Sequence, residues 1–208
     1  MSASEAIAML DAIAAQRVVP VIRTADAADA VATARACAAG GMRIVELTCT
    51  TPDVVAALEA LRDDDVCAGL GTVTTVGEVE RAAAAGAAFV VSYTKPPGMV
   101  AAAHAAGLPA IPGALTPTEV AACLRDGADA VKLFPARAVS PAHLRDLRAV
   151  MPSLRAMATG GVAAEDIGAW LAAGADAVGV GSELGTVARD GADVVRARAA
   201  ALLAAARG

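Results

Sequence analysis

One phrase recurs along this chain and restricts its fold more than any other feature: an Ala-rich helix, a glycine, two or three residues, then a short β-branched run. It reads Cys37-Ala-Ala-Gly-Gly-Met-Arg-Ile-Val-Glu, then Ala84-Ala-Gly-Ala-Ala-Phe-Val-Val-Ser, then Ala105-Ala-Gly-Leu-Pro-Ala-Ile-Pro. It returns as Leu124-Arg-Asp-Gly-Ala-Asp-Ala-Val-Lys-Leu-Phe and as Leu171-Ala-Ala-Gly-Ala-Asp-Ala-Val-Gly-Val-Gly. Each glycine stands where a helix ends in a left-handed cap. Each following run is short and apolar, as in a parallel strand buried on both faces.

Glycines 40, 86, 107, 127 and 174 are separated by 46, 21, 20 and 47 residues. Each double-length gap holds a further joint, Arg62-Asp-Asp-Asp before Val66 and Met151-Pro-Ser before Leu154. The pattern predicts eight strands, at 18–23, 43–48, 66–71, 88–92, 108–112, 129–134, 154–159 and 176–181. Helices are predicted near 26–39, 52–62, 76–85, 97–106, 117–126, 141–150, 164–173 and 192–206. Eight such units in 208 residues predict an α/β chain folded as one (β/α)8 barrel domain over 1–208. A doubly wound open sheet is the alternative, but no GxGxxG follows the first strand and GxxxxGK with Ser or Thr is absent.

Composition narrows the function classes. Hydrophobic residues make up 57% of the chain but aromatics only 2%, and net charge is −5, which argues against a nucleic-acid or anionic-membrane surface. Mean hydropathy is +0.57, yet the longest weakly charged stretch, Gly98 to Leu115, carries His104, two prolines and three glycines and does not read as a membrane span. The amphipathic N-terminal stretch of Ile7, Leu10 and Ile13 contains Glu5 and Asp11, unlike a secretion signal. Cys37, Cys49, Cys67 and Cys123 form no CxxC pair and read as reduced packing residues of a cytoplasmic protein.

Lysine usage is selective: of 17 basic residues only Lys95 and Lys132 are lysines. Lys95 reads as solvated in a Tyr-Thr-Lys-Pro-Pro loop, whereas Lys132 falls inside the sixth strand. Strand alternation turns Val131 and Leu133 toward the helices and Lys132 into the barrel. A desolvated lysine can lose its proton and act as an amine nucleophile, which an arginine cannot. The bland reading is a strand-end lysine reaching for solvent. The same parity turns Ile44, Glu46 and Thr48 inward on the second strand, and Val19, Val21 and Arg23 on the first. A carboxylate in a barrel core is costly unless paired or used, so a structural Glu46–Lys132 ion pair is the competing interpretation. Arg23, Glu46 and Lys132 converge at the C-terminal strand ends, the catalytic end of such barrels.

The loops after strands 7 and 8, Thr159-Gly-Gly-Val and Gly179-Val-Gly-Ser-Glu, are placed for phosphate: glycine backbone N–H groups and the Ser182 hydroxyl can close on its oxygens. His104 and His143 fall on outer helices and read as solvated. No inward His cluster or metal-type carboxylate group is seen, and no Ser or Cys has an inward His base, which disfavours metal-assisted and triad chemistry.

Taken in order, Val-Pro-Val-Ile-Arg, Val-Glu-Leu-Thr, Gly-Leu-Gly-Thr-Val, Ala-Ile-Pro-Gly-Ala-Leu-Thr-Pro-Thr-Glu, Val-Lys-Leu-Phe-Pro-Ala, Ala-Thr-Gly-Gly-Val and Val-Gly-Val-Gly-Ser resemble the 2-keto-3-deoxy-6-phosphogluconate aldolase family. That family includes the 4-hydroxy-2-oxoglutarate and 2-keto-3-deoxy-6-phosphogalactonate aldolases. The resemblance runs from about residue 15 to 190. It implies Lys132 as the imine-forming lysine and Glu46 as the general acid/base. It implies Thr72 on the pyruvyl carboxylate, and Gly160, Gly161, Gly181 and Ser182 on the phosphate. Pro112 and Phe134, within two of the motifs, join the expected substrate contacts. No metal or cofactor is implied, and the family habit is a homotrimer.

Two departures stand out. Many members carry an arginine for the substrate carboxylate at the position of Thr50; here Arg23, across the same mouth, is the expected replacement cation, and Thr50 and Thr159 remain among the expected substrate contacts. The common Ser-Pro loop after strand 4 reads Ser92-Tyr93-Thr94-Lys95-Pro96. Thr159 resembles members acting on the gluconate epimer, where the galactonate type tends to have Val. The expected reaction is Schiff-base cleavage of 2-keto-3-deoxy-6-phosphogluconate, a phosphorylated keto acid, to pyruvate and glyceraldehyde 3-phosphate. The alternatives are 4-hydroxy-2-oxoglutarate or the galactonate epimer as substrate, a phosphosugar isomerase or epimerase on the same barrel, and a non-catalytic sugar-phosphate-binding protein.

Overall fold

The apolar runs form nine parallel strands in the computed structural model, which describes residues 3–207. They are β1 (Val18–Ile22), β2 (Ile44–Thr48), β3 (Cys67–Gly71), β4 (Val90–Val91), β5 (Ala110–Ile111), β6 (Gly113–Ala114), β7 (Val131–Leu133), β8 (Ala156–Thr159) and β9 (Ala177–Val180). Sheet order is β5-β4-β3-β2-β1-β9-β8-β7-β6. The strand predicted at 108–112 is β5, and beyond Pro112 a further short strand, β6, continues it where none was predicted. A proline has no N–H to extend a ladder, but its carbonyl still accepts from Lys132 N at 2.8 Å. β5 pairs with β4 and β6 with β7, so the break brings the two ends of the sheet together. The barrel is nearly closed.

The helices are α1 (Ala3–Gln16), α2 (Ala27–Ala39), α3 (Val54–Leu61), α4 (Val76–Ala84), α5 (Met99–Ala105), α6 (Pro117–Arg125), α7 (Pro141–Val150), α8 (Ile167–Ala172), α9 (Val187–Asp190) and α10 (Ala192–Arg207). The helix predicted at 192–206 is α10, whereas α9 was not predicted; Gly191, at φ +88°, stands between the two. The first cap is corrected by one residue: Gly40 has φ −86° and it is Gly41, at +97°, that turns left-handed. Gly40 is needed for a different reason. A Cβ there would lie 2.5 Å from the Arg196 carbonyl oxygen of α10, which packs closely on α2. The other four recurrent glycines, 86, 107, 127 and 174, do have positive φ.

The repeated Gly-Ala-Asp segments have a structural task. Asp129 accepts from Ala110 N and Asp176 from Ala156 N, both at 2.8 Å, so each carboxylate takes the first backbone N–H of a strand. Capping boxes at Thr75/Glu78 and Thr116/Glu119 begin α4 and α6. Backbone N–H groups of Thr116 and Leu115 and the Thr116 hydroxyl hold Glu119 below the usual carboxylate range.

Strand parity sorts the core into two clusters. Val45, Leu47, Val131 and Leu133 face the helices, while Val19, Ile44, Phe89, Ile111 and Met157 fill the barrel interior. Helix α1 plugs the N-terminal end. Its Leu10 and Ile13 join the interior cluster, burial that contributes about 1.5–3 kcal/mol for each side chain. Gln16, at its end, donates to the Val18 and Ile44 carbonyls and accepts from Ile44 N. One end of the barrel is sealed, so a site can open only at the other. Among the described residues no helix is long and apolar enough to cross a membrane.

Candidate active site

The open end is a cleft of about 620 Å³ lined by Val21, Arg23, Thr72, Tyr93, Lys132, Phe134, Thr159, Gly160, Gly161, Val162, Gly179, Gly181, Ser182, Gly185, Thr186 and Arg189. Lys132 forms its floor. Its side chain is 4% exposed and its Nζ donates to both carboxylate oxygens of Glu46, at 3.0 and 3.2 Å. Glu46 is fully buried beneath it. Lys132 is therefore not a strand-end lysine reaching for solvent; its ammonium is turned inward, against a carboxylate.

The carboxylate fits there because of a glycine. Glu46 lies opposite Gly69 in the parallel register of β2 and β3. A Cβ on Gly71 would sit 2.0 Å from Glu46 Oε1, so the Gly-Leu-Gly spacing of β3 leaves a carboxylate-sized notch. Gly179 does the same for Thr159: a Cβ there would stand 2.3 Å from Thr159 Oγ1. Thr159 is 5% exposed, and among the described residues its Oγ1 is the buried side-chain oxygen or nitrogen left without a hydrogen-bond partner. A hydroxyl so placed in a cleft wall is prepared for a ligand oxygen, since an unmet buried group costs about 1–3 kcal/mol.

Thr72 has φ +63°, a left-handed conformation that is costly for a β-branched residue, by about 1–3 kcal/mol. It lines the cleft just after β3. Arg23 also lines it, immediately beyond β1, and is exposed. No hydrogen bond or ion pair links Arg23 to another described residue. Phe134 stands beside Lys132, its ring centroid 6.0 Å from Nζ. Tyr93 meets that ring edge-to-face at 6.1 Å.

Gly160, Gly161, Gly181 and Ser182 lie in the same wall. Gly160 and Gly161 have φ of +97° and +74°, and Cβ atoms there would collide with Phe134 and Arg137. Two sequence candidates are placed elsewhere. Thr50 is exposed in the turn after β2, its hydroxyl 2.9 Å from that of Thr48, and it does not line the cleft. Pro112 is buried in the broken strand and supports the backbone of Lys132 instead.

Sequence reasoning missed Thr186 and Arg189 of the last loop, because a four-residue helix leaves no periodic signal. Arg189 Nε donates to Asp190 at 2.9 Å, and Arg198 approaches the same carboxylate oxygen at 3.1 Å. Desolvation would raise the pKa of Asp190, but the Thr186 N–H and the two guanidiniums outweigh it and hold the group below the ordinary value.

Other polar groups fall outside. Lys95 is ion-paired with Asp126 rather than simply solvated. His104 pairs with Asp129 at 2.8 Å and His143 donates to the Leu115 carbonyl at 2.7 Å, so both are engaged, on outer helices. Burial pushes the Cys37 and Cys49 thiols up to about 12 and Cys123 to about 11, which keeps them from acting as thiolates at neutral pH. Among the described residues no three His, Cys, Asp or Glu side chains gather closely enough to hold a metal ion.

A (β/α)8 barrel with a buried lysine–carboxylate pair on the floor of its open end defines a class of enzyme that works on a carbonyl substrate through an amine. Comparison with known proteins agrees. The family described as KDPG and KHG aldolase matches residues 10–197, and the chain belongs to that family of aldolases, which are lyases. It is 37% identical over 169 residues to the 2-dehydro-3-deoxy-phosphogluconate aldolase of Treponema pallidum (strain Nichols), covering 80% of each chain. It is 32% identical over 148 residues to the 2-dehydro-3-deoxy-6-phosphogalactonate aldolase of Escherichia coli (strain K12), covering 69% of this chain and 72% of the relative. A KDPG aldolase from Legionella pneumophila, solved with pyruvate captured as a covalent carbinolamine, superposes with a TM-score of 0.82 at 28% identity, covering 93% of this chain and 97% of that one.

Proposed function

We propose that the protein is a Schiff-base aldolase that cleaves 2-keto-3-deoxy-6-phosphogluconate to pyruvate and glyceraldehyde 3-phosphate. The observation that carries this reading is the Lys132–Glu46 pair: an amine at the cleft floor whose hydrogen-bond partner among the described residues is a proton acceptor 3.0 Å away. Glu46 accepts a proton from Lys132, and the free amine adds to the substrate C2 carbonyl. Glu46 returns that proton to the departing carbinolamine hydroxyl, which leaves as water, and the iminium ion so formed stands beside the regenerated Glu46 carboxylate. Glu46 is fully buried and does not itself line the cleft, so a water relays the C4 hydroxyl proton to it. The C3–C4 bond then breaks, its electrons pass into the iminium, and the aldehyde leaves. The enamine recovers a proton at C3 from Glu46, and hydrolysis frees pyruvate and the lysine.

Arg23 and Thr72 hold the pyruvyl carboxylate, Arg23 in the role that Thr50 does not fill. Gly160, Gly161, Gly181 and Ser182 bind the phosphate, and Phe134 packs along the chain of the substrate. The unpartnered Thr159 hydroxyl accepts or donates to the C4 oxygen and favours the gluconate over the galactonate epimer. We place the enzyme in the cytoplasm as a homotrimer, the assembly the family resemblance implies; a sedimentation mass of one chain at micromolar concentration would refute the assembly.

Borohydride reduction in the presence of pyruvate tests the reaction. One pyruvyl adduct on Lys132 is expected; an enzyme that turns over without trapping is not a Schiff-base aldolase. Side-by-side kcat/KM values for the two epimers test the substrate, and a galactonate preference would reverse the assignment.

A further inference from the structure

The segment between β9 and α10 is built more firmly than a connection requires. All four backbone N–H groups at the start of α9 are taken by side chains. Thr186 N donates to Asp190 and Val187 N to Thr33. Ala188 N donates to Asp29, and Arg189 N to the Thr186 hydroxyl. Thr33 and Asp29 belong to α2, so the segment is pinned to a neighbouring helix. Gly185, at φ +78°, allows the tight approach: a Cβ there would come within 2.1 Å of Asp190 and 2.9 Å of an Arg189 terminal nitrogen. With the four backbone donors at its start spent, α9 can add to the Gly181 and Ser182 groups of the same cleft wall the Arg189 guanidinium.

That guanidinium reaches the cleft that also holds Gly161, Gly181 and Ser182. Its Nε is fixed by Asp190, and Asp190 is itself fixed by Arg198. Two arginines share one carboxylate, so positive charge is left over beside the glycine loops. Arginine's planar fork suits phosphate oxygens, and a fork held at Nε still presents its terminal N–H groups.

We infer that Arg189 is a specificity-determining residue that grips the phosphate end of the substrate, with Asp190 as the positioning residue that aims it. The inference rests on the phosphorylated-substrate reading above. Its test compares kcat/KM for 2-keto-3-deoxy-6-phosphogluconate with that for unphosphorylated 2-keto-3-deoxygluconate. Arg189→Ala is expected to lower this ratio by roughly tenfold or more, mainly through KM, as loss of charge-assisted hydrogen bonds does. Arg189→Lys should recover part of the ratio, and Asp190→Asn should lower it in the same direction but less. A ratio unchanged within about twofold in Arg189→Ala, with wild type preferring the phosphorylated acid, overturns the inference alone. If wild type traps pyruvate yet shows no preference for the phosphorylated acid, the phosphate reading fails and takes the inference with it.

Discussion

The two ends of this barrel are made from the same eight repeats and behave as different materials. At the N-terminal end α1 adds Leu10 and Ile13 to the interior cluster of Phe89, Ile111 and Met157, and Gln16 satisfies the backbone around it. At the C-terminal end stand a buried ion pair, a strained Thr72, and, without a partner among the described residues, the Thr159 hydroxyl and the Arg23 guanidinium. One end stores stability and the other spends some of it on groups that await a ligand. The division runs along individual strands: β3 carries Gly69 against Phe89 and, two residues on, Gly71 against Glu46.

The harshest way to break the active end is Lys132→Arg. The charge is kept, but no imine can form. Aldol cleavage should vanish and borohydride should trap no pyruvate, while circular dichroism stays native; measurable cleavage would remove Lys132 from the nucleophile's role.

Glu46→Gln comes next. Turnover should fall by roughly 10²–10⁴-fold, the usual worth of a positioned acid/base, while pyruvate trapping on Lys132 persists. If the variant instead unfolds and trapping disappears, the pair was structural, and the interpretation of Glu46 as an inert counter-ion stands.

The two glycines of β3 sharpen the comparison within one strand. Gly71→Ala should displace the Glu46 carboxylate and depress turnover, with a smaller loss of stability. Gly69→Ala meets the Phe89 ring at 2.3 Å and should cost about 1–3 kcal/mol of stability, the range for overpacked cores, with less effect on turnover per folded molecule. Thermal melts and kcat on the two variants decide; the same pattern from both would show that the two ends are not separable.

The gentlest probe is Thr159→Val. Removing a hydroxyl that has no partner should leave stability unchanged or raise it. The preference for the gluconate epimer should meanwhile fall by roughly two- to tenfold, the equivalent of one net hydrogen bond. A stability loss comparable to a cavity mutation would mean that the hydroxyl is satisfied in the free enzyme.

Much of this was legible in the sequence because it rests on local rules. The Ala-rich helix, capping glycine and β-branched run recur often enough to predict a closed parallel barrel. Alternation along β2 and β7 is enough to turn Glu46 and Lys132 inward, since strand parity fixes which face each residue takes. Sequence could also mark Thr159-Gly-Gly and Gly-Val-Gly-Ser as loops at the open end. What it could not supply was the pairing across the barrel. That Gly71 is the notch for Glu46 depends on β2 lying beside β3 in one register. That α1 seals the far end depends on where its apolar stripe finds a partner. Thr50 was a site candidate because it stands where many members of the resembled family carry a carboxylate-binding arginine, yet the turn at Thr51 carries it outside. Arg189 lay outside every predicted element, and it is Asp29 and Thr33, more than 150 residues earlier, that fix its segment beside the cleft. Local patterns thus determined the elements and their inward faces, because backbone geometry decides those within a few residues. Contacts between residues far apart in the chain decided which glycine makes room for which side chain and which cation reaches the ligand. Only closure of the barrel sets those distances.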